Sequence, residues 1–512
     1  MKSISNSNQR KLGVVLSYLS VCLSTVLSLV YTPILLRKLG QEEYGVYTLV
    51  ASTVAYLSLL SLGFGSAYVR FYSRFAARKD QEGERRLNGM YLLLFSVMGV
   101  VALILGMILA MNVDKLFKAL TPDELALAER LFIILVISTA VSFPLSVFDS
   151  IITAHEKFIF LKLLIMLRRV LNPCLVLLLL LLGYHSEALV MVNLFLTLVT
   201  GAASVYYVLR VLRAGFDFRS MDFKLIREMG GYSFYVFLIM IADQISWNVD
   251  KFLLGVFQGS AQIAIYGVAA QLNSYFLTFS DVIANVFTPR VHALAEEKGS
   301  EEKSSELMLR VGRVQFYIVM LIFLGYVFLG RPFIKIWAGS EYAASYWIGV
   351  VLMSGILLPL TEAVSGEILR AKGYHKQYTR ITCAGTIGNL ALSIPLCIRW
   401  GALGCAIGTT VSFFICQWII KNIYLKRKAG IDIGVFLRQM LRLLIGTVPA
   451  VVCGILILLF AEIQGYLSLA VYGAAFCLVF FAGVWLLDFD PREKELVRAP
   501  LRRLQRKRGS AS

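Results

Sequence analysis

The sequence predicts an all-α polytopic membrane protein of about fourteen transmembrane helices, arranged as two six-helix lobes with two further helices at the C-terminal end. Three observations lead there. Apolar runs of the length that spans a bilayer recur along the whole chain, which is 58% hydrophobic with a mean hydropathy of +0.73. Lys and Arg concentrate in alternate loops. No hydrophilic stretch between the runs is long enough to fold as a separate domain.

A helix rises about 1.5 Å per residue, so a hydrocarbon core of about 30 Å needs about 20 apolar residues. Runs of that size read, in order, as Gly13 to Leu36, Tyr44 to Ser66, Met90 to Met111, Ala128 to Ile151, Leu161 to Leu182 and Ala188 to Leu209. The next six are Gly231 to Leu254, Gln262 to Val286, Val314 to Ile336, Tyr346 to Ser365, Ile381 to Ile398 and Ala402 to Ile420. Met440 to Ala461 and Leu467 to Leu487 complete the set. The seventh is marked by Asp243 and Asp250, and the eleventh is short. With the amino terminus in the cytoplasm, most of the 50 Lys and Arg fall on the tails and the even-numbered loops. The positive-inside rule then puts both ends in the cytosol. The net charge of +18 expresses this asymmetry and requires no nucleic-acid partner. The tail Arg502, Arg503, Arg506, Lys507 and Arg508 reads as an anchor to anionic membrane lipids.

All eight cysteines lie in or beside apolar runs without a CxxC pair, which argues against a disulfide framework and a zinc site. The first run lacks a small-x-small exit and is expected to stay as the first helix. The longest hydrophilic stretches, Phe287 to Arg313 and Asp488 to Ser512, hold no catalytic domain, so a membrane enzyme is the poorer reading. No GxxxxGK[ST] motif is present, and no cofactor is expected; energy for any transport must come from a Na⁺ or H⁺ gradient or from a partner. The pair in Asp488-Phe489-Asp490 stands alone at a helix exit and reads as a solvated helix end. His155, His185, His292 and His375 all fall in loops or at span ends, which disfavours a membrane acyltransferase.

A weak repeat organises the runs. The chain reads Pro33-Ile-Leu-Leu-Arg-Lys-Leu-Gly40 and then Tyr44-Gly45-Val46; about 220 residues later it reads Asp250-Lys-Phe-Leu-Leu-Gly255-Val-Phe-Gln-Gly259 and then Tyr266-Gly267-Val268. In both copies a helix ends at a glycine and a Tyr-Gly-Val cluster opens the next. Six spans separate the copies, which gives them the same orientation and suggests lobes related by an axis along the membrane normal. The expected organisation is an N-terminal lobe over 1–210, a cytosolic connector over 211–229 and a C-terminal lobe over 230–425. An added helix pair follows over 426–487, and a basic tail over 488–512.

Leu36-Arg-Lys-Leu-Gly-Gln-Glu-Glu-Tyr-Gly-Val-Tyr47 and Leu59-Leu-Ser-Leu-Gly-Phe-Gly-Ser-Ala-Tyr-Val-Arg70 resemble the opening of the polysaccharide transporter family. That family includes the O-antigen (Wzx-type) flippases and belongs to the superfamily of MATE drug exporters and lipid II flippases, the multidrug/oligosaccharidyl-lipid/polysaccharide exporters. Val249-Asp250-Lys251 with Tyr266, and Glu367-Ile-Leu-Arg-Ala-Lys-Gly373, extend the resemblance over about residues 10 to 430. It implies a two-lobed core that alternates between inward-open and outward-open states and moves an isoprenoid (undecaprenyl) pyrophosphate-linked oligosaccharide outward. A polysaccharide polymerase and a chain-length regulator are the partners such a pathway implies. Lipid II flippases carry arginines inside their first two spans, where this chain has none; that departure lowers lipid II as the cargo. A MATE-like exporter would want an acidic cavity poor in basic groups.

Moving a pyrophosphate through hydrocarbon strands charge at a cost of several kcal/mol or more, so the passage must be wet and partly cationic. Arg168 and Arg169, in the fifth span, lie ~21 Å from the outer face and ~9 Å from the inner one, where a cavity role competes with snorkelling to the headgroups. Arg290, behind Pro289, is placed to meet a pyrophosphate at the cytosolic end of the eighth span, or to anchor it. Lys251 is placed to neutralise Asp250. Acids within spans usually face a cavity or a partner. Asp243 and Asp250 are seven apart, nearly on one helix face with Trp247 between, and suggest a cavity stripe. Asp149, Asp281, Glu362 and Glu367 lie toward cytosolic ends of spans. Any of the six acids is a candidate for binding the coupling ion, with Asp243 ranked first because it lies deepest; a structural hydrogen bond or ion pair is the competing role. Prolines at 33, 144, 173, 359 and 395 mark kinks or hinges.

Overall fold

The structure, a computed structural model, describes residues 6–219, 223–295, 300–489 and residue 494, and these hold helices and no strand. The basic tail from Arg502 lies outside the described residues. The first helices are α1 (Asn6–Val54), α2 (Phe64–Arg78), α3 (Gln81–Ala110), the single turn α4 (Val113–Leu116), α5 (Pro122–Ala154), α6 (Phe158–Leu181) and α7 (Ser186–Tyr206). Then come α8 (Phe223–Phe257), α9 (Ser260–Ala295), α10 (Ser300–Trp337), α11 (Ser345–Thr361), α12 (Ala363–Ala371) and α13 (His375–Phe413). The last are α14 (Lys421–Ala429), α15 (Ile433–Phe460) and α16 (Tyr466–Leu487). A π-helical stretch, Phe414–Ile420, joins α13 to α14.

Among the described residues nine helices are long and apolar enough to cross a membrane, or eleven if each of two bent pairs makes one span. The fourteen spans read from the sequence are therefore not confirmed. Part of the difference lies in continuity. Leu23–Ser61 has 39 residues and Lys376–Ala429 has 54, about two and nearly three times what one crossing requires. Each is broken at a glycine with positive φ, Gly40 (74°) and Gly401 (57°). The expected eighth span lies in α9, which is not among the nine or eleven because Gln, Asn, Ser and Asp residues dilute its apolar run.

Helix starts follow local chemistry. Pro122 opens α5 behind a reciprocal cap in which the Thr121 hydroxyl accepts from Glu124 N–H at 3.4 Å and the Glu124 carboxylate accepts from Thr121 N–H at 2.8 Å. Glu43, just past the Gly40 break, accepts from the first N–H of α7, Ser186, at 2.6 Å, where a helix amino terminus favours an anion.

The chain forms two compact units, Met1–Val268 with Thr386–Thr409, and Ala269–Gly385 with Thr410–Ser512. Packing thus groups α8 with the N-terminal helices, whereas chain order had assigned it to the later lobe. The first unit centres on Phe64, Tyr68, Tyr91, Phe95, Phe143 and Phe148. Its buried polar groups are satisfied in a chain, Tyr68 O–H donating to Asn88 Oδ1 at 2.6 Å and Asn88 Nδ2 to Gly215 O at 3.0 Å. In the second unit, Phe316, Met320 and Phe328 of α10 meet Phe436 of α15 and Phe476 and Phe480 of α16. Outward faces are as apolar as the cores: Val97, Val100, Ile104 and Ile108 of α3 are each more than half exposed. Lipid makes that exposure costless, since hydrocarbon tails are as apolar as the side chains.

The two Tyr-Gly-Val clusters meet inside the first unit. A Cβ on Gly45 would lie 2.1 Å from the backbone oxygen of Ser260, and one on Gly267 would lie 3.4 Å from Thr48 Cγ2. Backbone cannot yield at the first contact as a side-chain end could. Gly45→Ala should therefore cost about 1–3 kcal/mol, read as a lower thermal midpoint of the detergent-purified protein. Gly65→Ala, in a helical position with nothing within 4 Å, should leave the midpoint unchanged or raise it slightly.

Candidate functional site

The first unit holds a cavity of about 500 Å³ between α1 and α6, lined by Ser24, Leu27, Ser28 and Tyr31 on one side and Ile165, Arg168, Arg169, Asn172 and Pro173 on the other. Both arginines singled out in the sequence line it. Pro173 has no N–H to donate to the carbonyl of Arg169 four residues back, so the helix is locally weakened where the cations sit. Arg168 Nη2 donates to Asn193 Oδ1 at 2.6 Å and to Thr197 Oγ1 at 2.9 Å, both on α7. Arg169 is exposed and reaches Ser24 Oγ at 3.4 Å. Asp149 accepts from Ser204 Oγ at 2.7 Å, and its charge acts on Arg168. Two cations among hydroxyl and amide groups can hold an anion that also carries hydroxyls.

A second polar group lies around Asp250, toward the C-terminal end of α8. Tyr266 O–H and Thr409 O–H both donate to Asp250 Oδ2, the latter at 2.6 Å, while Oδ1 is buried without a hydrogen-bond partner. Asn389 Oδ1 accepts from Ser393 Oγ at 2.7 Å and lies 3.1 Å from Thr409 Oγ1. Thr409 has one proton for two oxygen neighbours. The set is therefore richer in lone pairs than in protons, the balance that suits a small hard cation or an added proton. Lys251, next in sequence, also acts on this carboxylate by charge.

The expected stripe of Asp243 and Asp250 does not form one environment. Asp243 and Trp247 are exposed, whereas Asp250 is 3% exposed beneath α9 and α13. Both acids lie on α8, and their neighbours differ along its length.

In the second unit Glu362 sits at the break between α11 and α12, which bend by 48° there. Its Oε1 accepts from Trp418 Nε1 at 3.0 Å and Asn422 Nδ2 at 2.9 Å, and Oε2 lies 3.7 Å from Lys421 Nζ. Both charged side chains are buried, Glu362 at 0% and Lys421 at 6% exposure. The π-helical stretch, common at sites where a helix must re-aim its side chains, delivers Trp418, Lys421 and Asn422 to this one carboxylate. Glu367 pairs instead with Arg370 at 2.5 Å and lies 3.8 Å from His292. Arg290 and Asp281 are exposed on α9.

Sequence reading did not single out Asn193, Thr197, Asn389, Ser393, Thr409 or Lys421. The available signal was spacing: Asn193 and Thr197, and Asn389 and Ser393, are polar pairs four apart inside apolar runs, hence on one helix face.

Residues 12–295 match the family described as polysaccharide biosynthesis protein. The chain is 23% identical over 404 residues to a candidate O-antigen transporter of Shigella flexneri, covering 76% of this chain and 91% of that protein. It is 23% identical over 503 residues to the uncharacterized membrane protein EpsK of Bacillus subtilis, covering 96% and 97%. Among solved structures it is similar to the lipid II flippase MurJ in an inward closed conformation, with a TM-score of 0.71 at 16% identity over 92% of this chain and 98% of that one. A multidrug resistance MATE family transporter of the MOP superfamily, inward-facing, gives 0.65 at 15% identity over 80% and 94%. At these identities the structural likeness is one of fold.

Proposed function

Since the chain belongs to the polysaccharide biosynthesis protein family, we propose that it moves an isoprenoid (undecaprenyl) pyrophosphate-linked oligosaccharide across a bacterial cytoplasmic membrane. The product serves a surface polysaccharide, whether O-antigen, capsule or exopolysaccharide. The observation that carries this reading is the cavity with Arg168 and Arg169 among serines, a tyrosine and an asparagine. Its cations offset the pyrophosphate charge and its neutral groups replace water at the sugar hydroxyls, while the lipid tail stays in the bilayer. Relatives that are transporters support a non-enzymatic role. The lobes alternate access, and the lone-pair-rich group at Asp250 binds the Na⁺ or H⁺ whose gradient drives the cycle. A polymerase and a chain-length regulator receive the cargo outside.

In proteoliposomes holding a fluorescent pyrophosphate-linked oligosaccharide, the wild-type chain should expose the probe to a membrane-impermeant quencher. Arg168→Ala with Arg169→Ala should lose at least about tenfold in rate, since each arginine supplies charge-assisted hydrogen bonds. Equal rates would remove the cavity from the mechanism, and movement of lipid II alone would reassign the cargo.

Both termini face the cytosol in this reading. A single cysteine placed at position 510, which lies outside the described residues, should stay unlabelled by an impermeant maleimide in intact cells and react after permeabilisation; labelling in intact cells would reverse the topology.

A further inference from the structure

Arg168 and Arg169 line one cavity but are held differently. Arg169 is exposed and its contact with Ser24 is long, 3.4 Å. Arg168 is gripped through Nη2 by two neutral acceptors on α7, Asn193 Oδ1 at 2.6 Å and Thr197 Oγ1 at 2.9 Å. Thr197 is 6% exposed, and its own proton goes to the carbonyl of Asn193 at 2.8 Å. That commitment turns a hydroxyl lone pair toward the guanidinium. Asp149, engaged by Ser204 Oγ at 2.7 Å, adds attraction from the α5 side.

Neutral acceptors fix a guanidinium without cancelling its charge, which a carboxylate in the same place would do. A guanidinium locked in plane loses little further freedom on meeting a ligand, and with both Nη2 protons given to α7 it keeps those on Nη1 and Nε to offer. Each of those protons can make a charge-assisted hydrogen bond to a phosphoryl oxygen from a fixed direction, whereas an ammonium offers a mobile point charge.

We propose that Asn193 and Thr197 are positioning residues that hold Arg168 as a fixed cationic donor for a phosphoryl group. This deepens the cavity reading and rests on it. Arg168 then does not tolerate Lys, because an ammonium has no plane for the two acceptors on α7 to hold.

The test uses inorganic pyrophosphate as the probe and calorimetric binding to the purified full chain in detergent, at several salt concentrations. Thr197→Val and Asn193→Leu should each weaken binding about tenfold or more, the effect of a lost hydrogen bond to a charged group. Thr197→Ser, which keeps the hydroxyl, should bind as the wild type does. Arg168→Lys should weaken binding as Thr197→Val does. The salt dependence of binding should be the same for Thr197→Val as for wild type, because no charge is removed, whereas Arg169→Ala should flatten it. Wild-type affinity in Thr197→Val or in Arg168→Lys overturns the positioning role and leaves the cavity reading standing. A wild-type chain that binds no pyrophosphate overturns the cavity reading, and the positioning role with it.

Discussion

Asp250→Asn is expected to abolish dependence of transport on the cation gradient while leaving the protein folded. The amide keeps the shape and retains an oxygen to accept from Tyr266 and Thr409, whose bonds both end on Oδ2. What it removes is the negative charge and the lone pairs of the buried, unpartnered Oδ1. A cation drives a conformational cycle only by binding one state more tightly than the other. Without the carboxylate, the remaining neutral oxygens of Asn389, Ser393 and Thr409 bind a bare ion weakly in either state, and that difference collapses. Transport in proteoliposomes under imposed Na⁺ and H⁺ gradients measures it. The variant should carry cargo at one slow rate under every gradient; a rate that still follows one of them would move coupling away from Asp250. Asp243→Asn, at an exposed position on the same helix, should have the smaller effect of the two.

Glu362→Ala is expected to destabilise the chain by about 3–5 kcal/mol, because it leaves Lys421 as an uncompensated buried charge. It also strips the acceptor from Trp418 Nε1 and Asn422 Nδ2. The informative comparison is the double change Glu362→Met with Lys421→Met. Removing both charges removes both desolvation penalties, so the double variant should recover most of the loss and could equal the wild type. Thermal unfolding of the detergent-purified proteins reads both. A double variant no better than Glu362→Ala would mean that the hydrogen bonds at the α11–α12 break, rather than the ion pair, hold this part of the second unit.

Membrane solvation explains which features were legible in the sequence. Apolar runs and charge asymmetry marked the helices because hydrocarbon forbids anything else there. The glycines at 40 and 259 marked chain breaks, and both have positive φ in the structure. Arg168 and Arg169 stood out because charges at that depth are costly, and both line one cavity. The number of crossings was less legible: α9 mixes polar residues into its apolar run, and residues on either side of Gly40 and Gly401 run on as helix. Partners were illegible for a different reason. Asp250 meets Thr409 and Glu362 meets Lys421 across 159 and 59 positions of sequence, and lipid-facing and core-facing helix sides are equally apolar, so periodicity does not reveal which faces meet. That ambiguity also explains why Asp243 was ranked above Asp250. Depth in the bilayer can be counted from a sequence, whereas the cover that α9 and α13 place over Asp250 cannot.

Deletion of the gene in its host, with surface polysaccharide and membrane-extracted lipid-linked oligosaccharide followed together, tests the central claim most directly. The account predicts loss of the polymer with accumulation of short lipid-linked units facing the cytosol, reversed by the wild-type gene and not by the Arg168→Ala, Arg169→Ala form. Normal polysaccharide together with a new sensitivity to cationic drugs would contradict it and assign the chain to drug export.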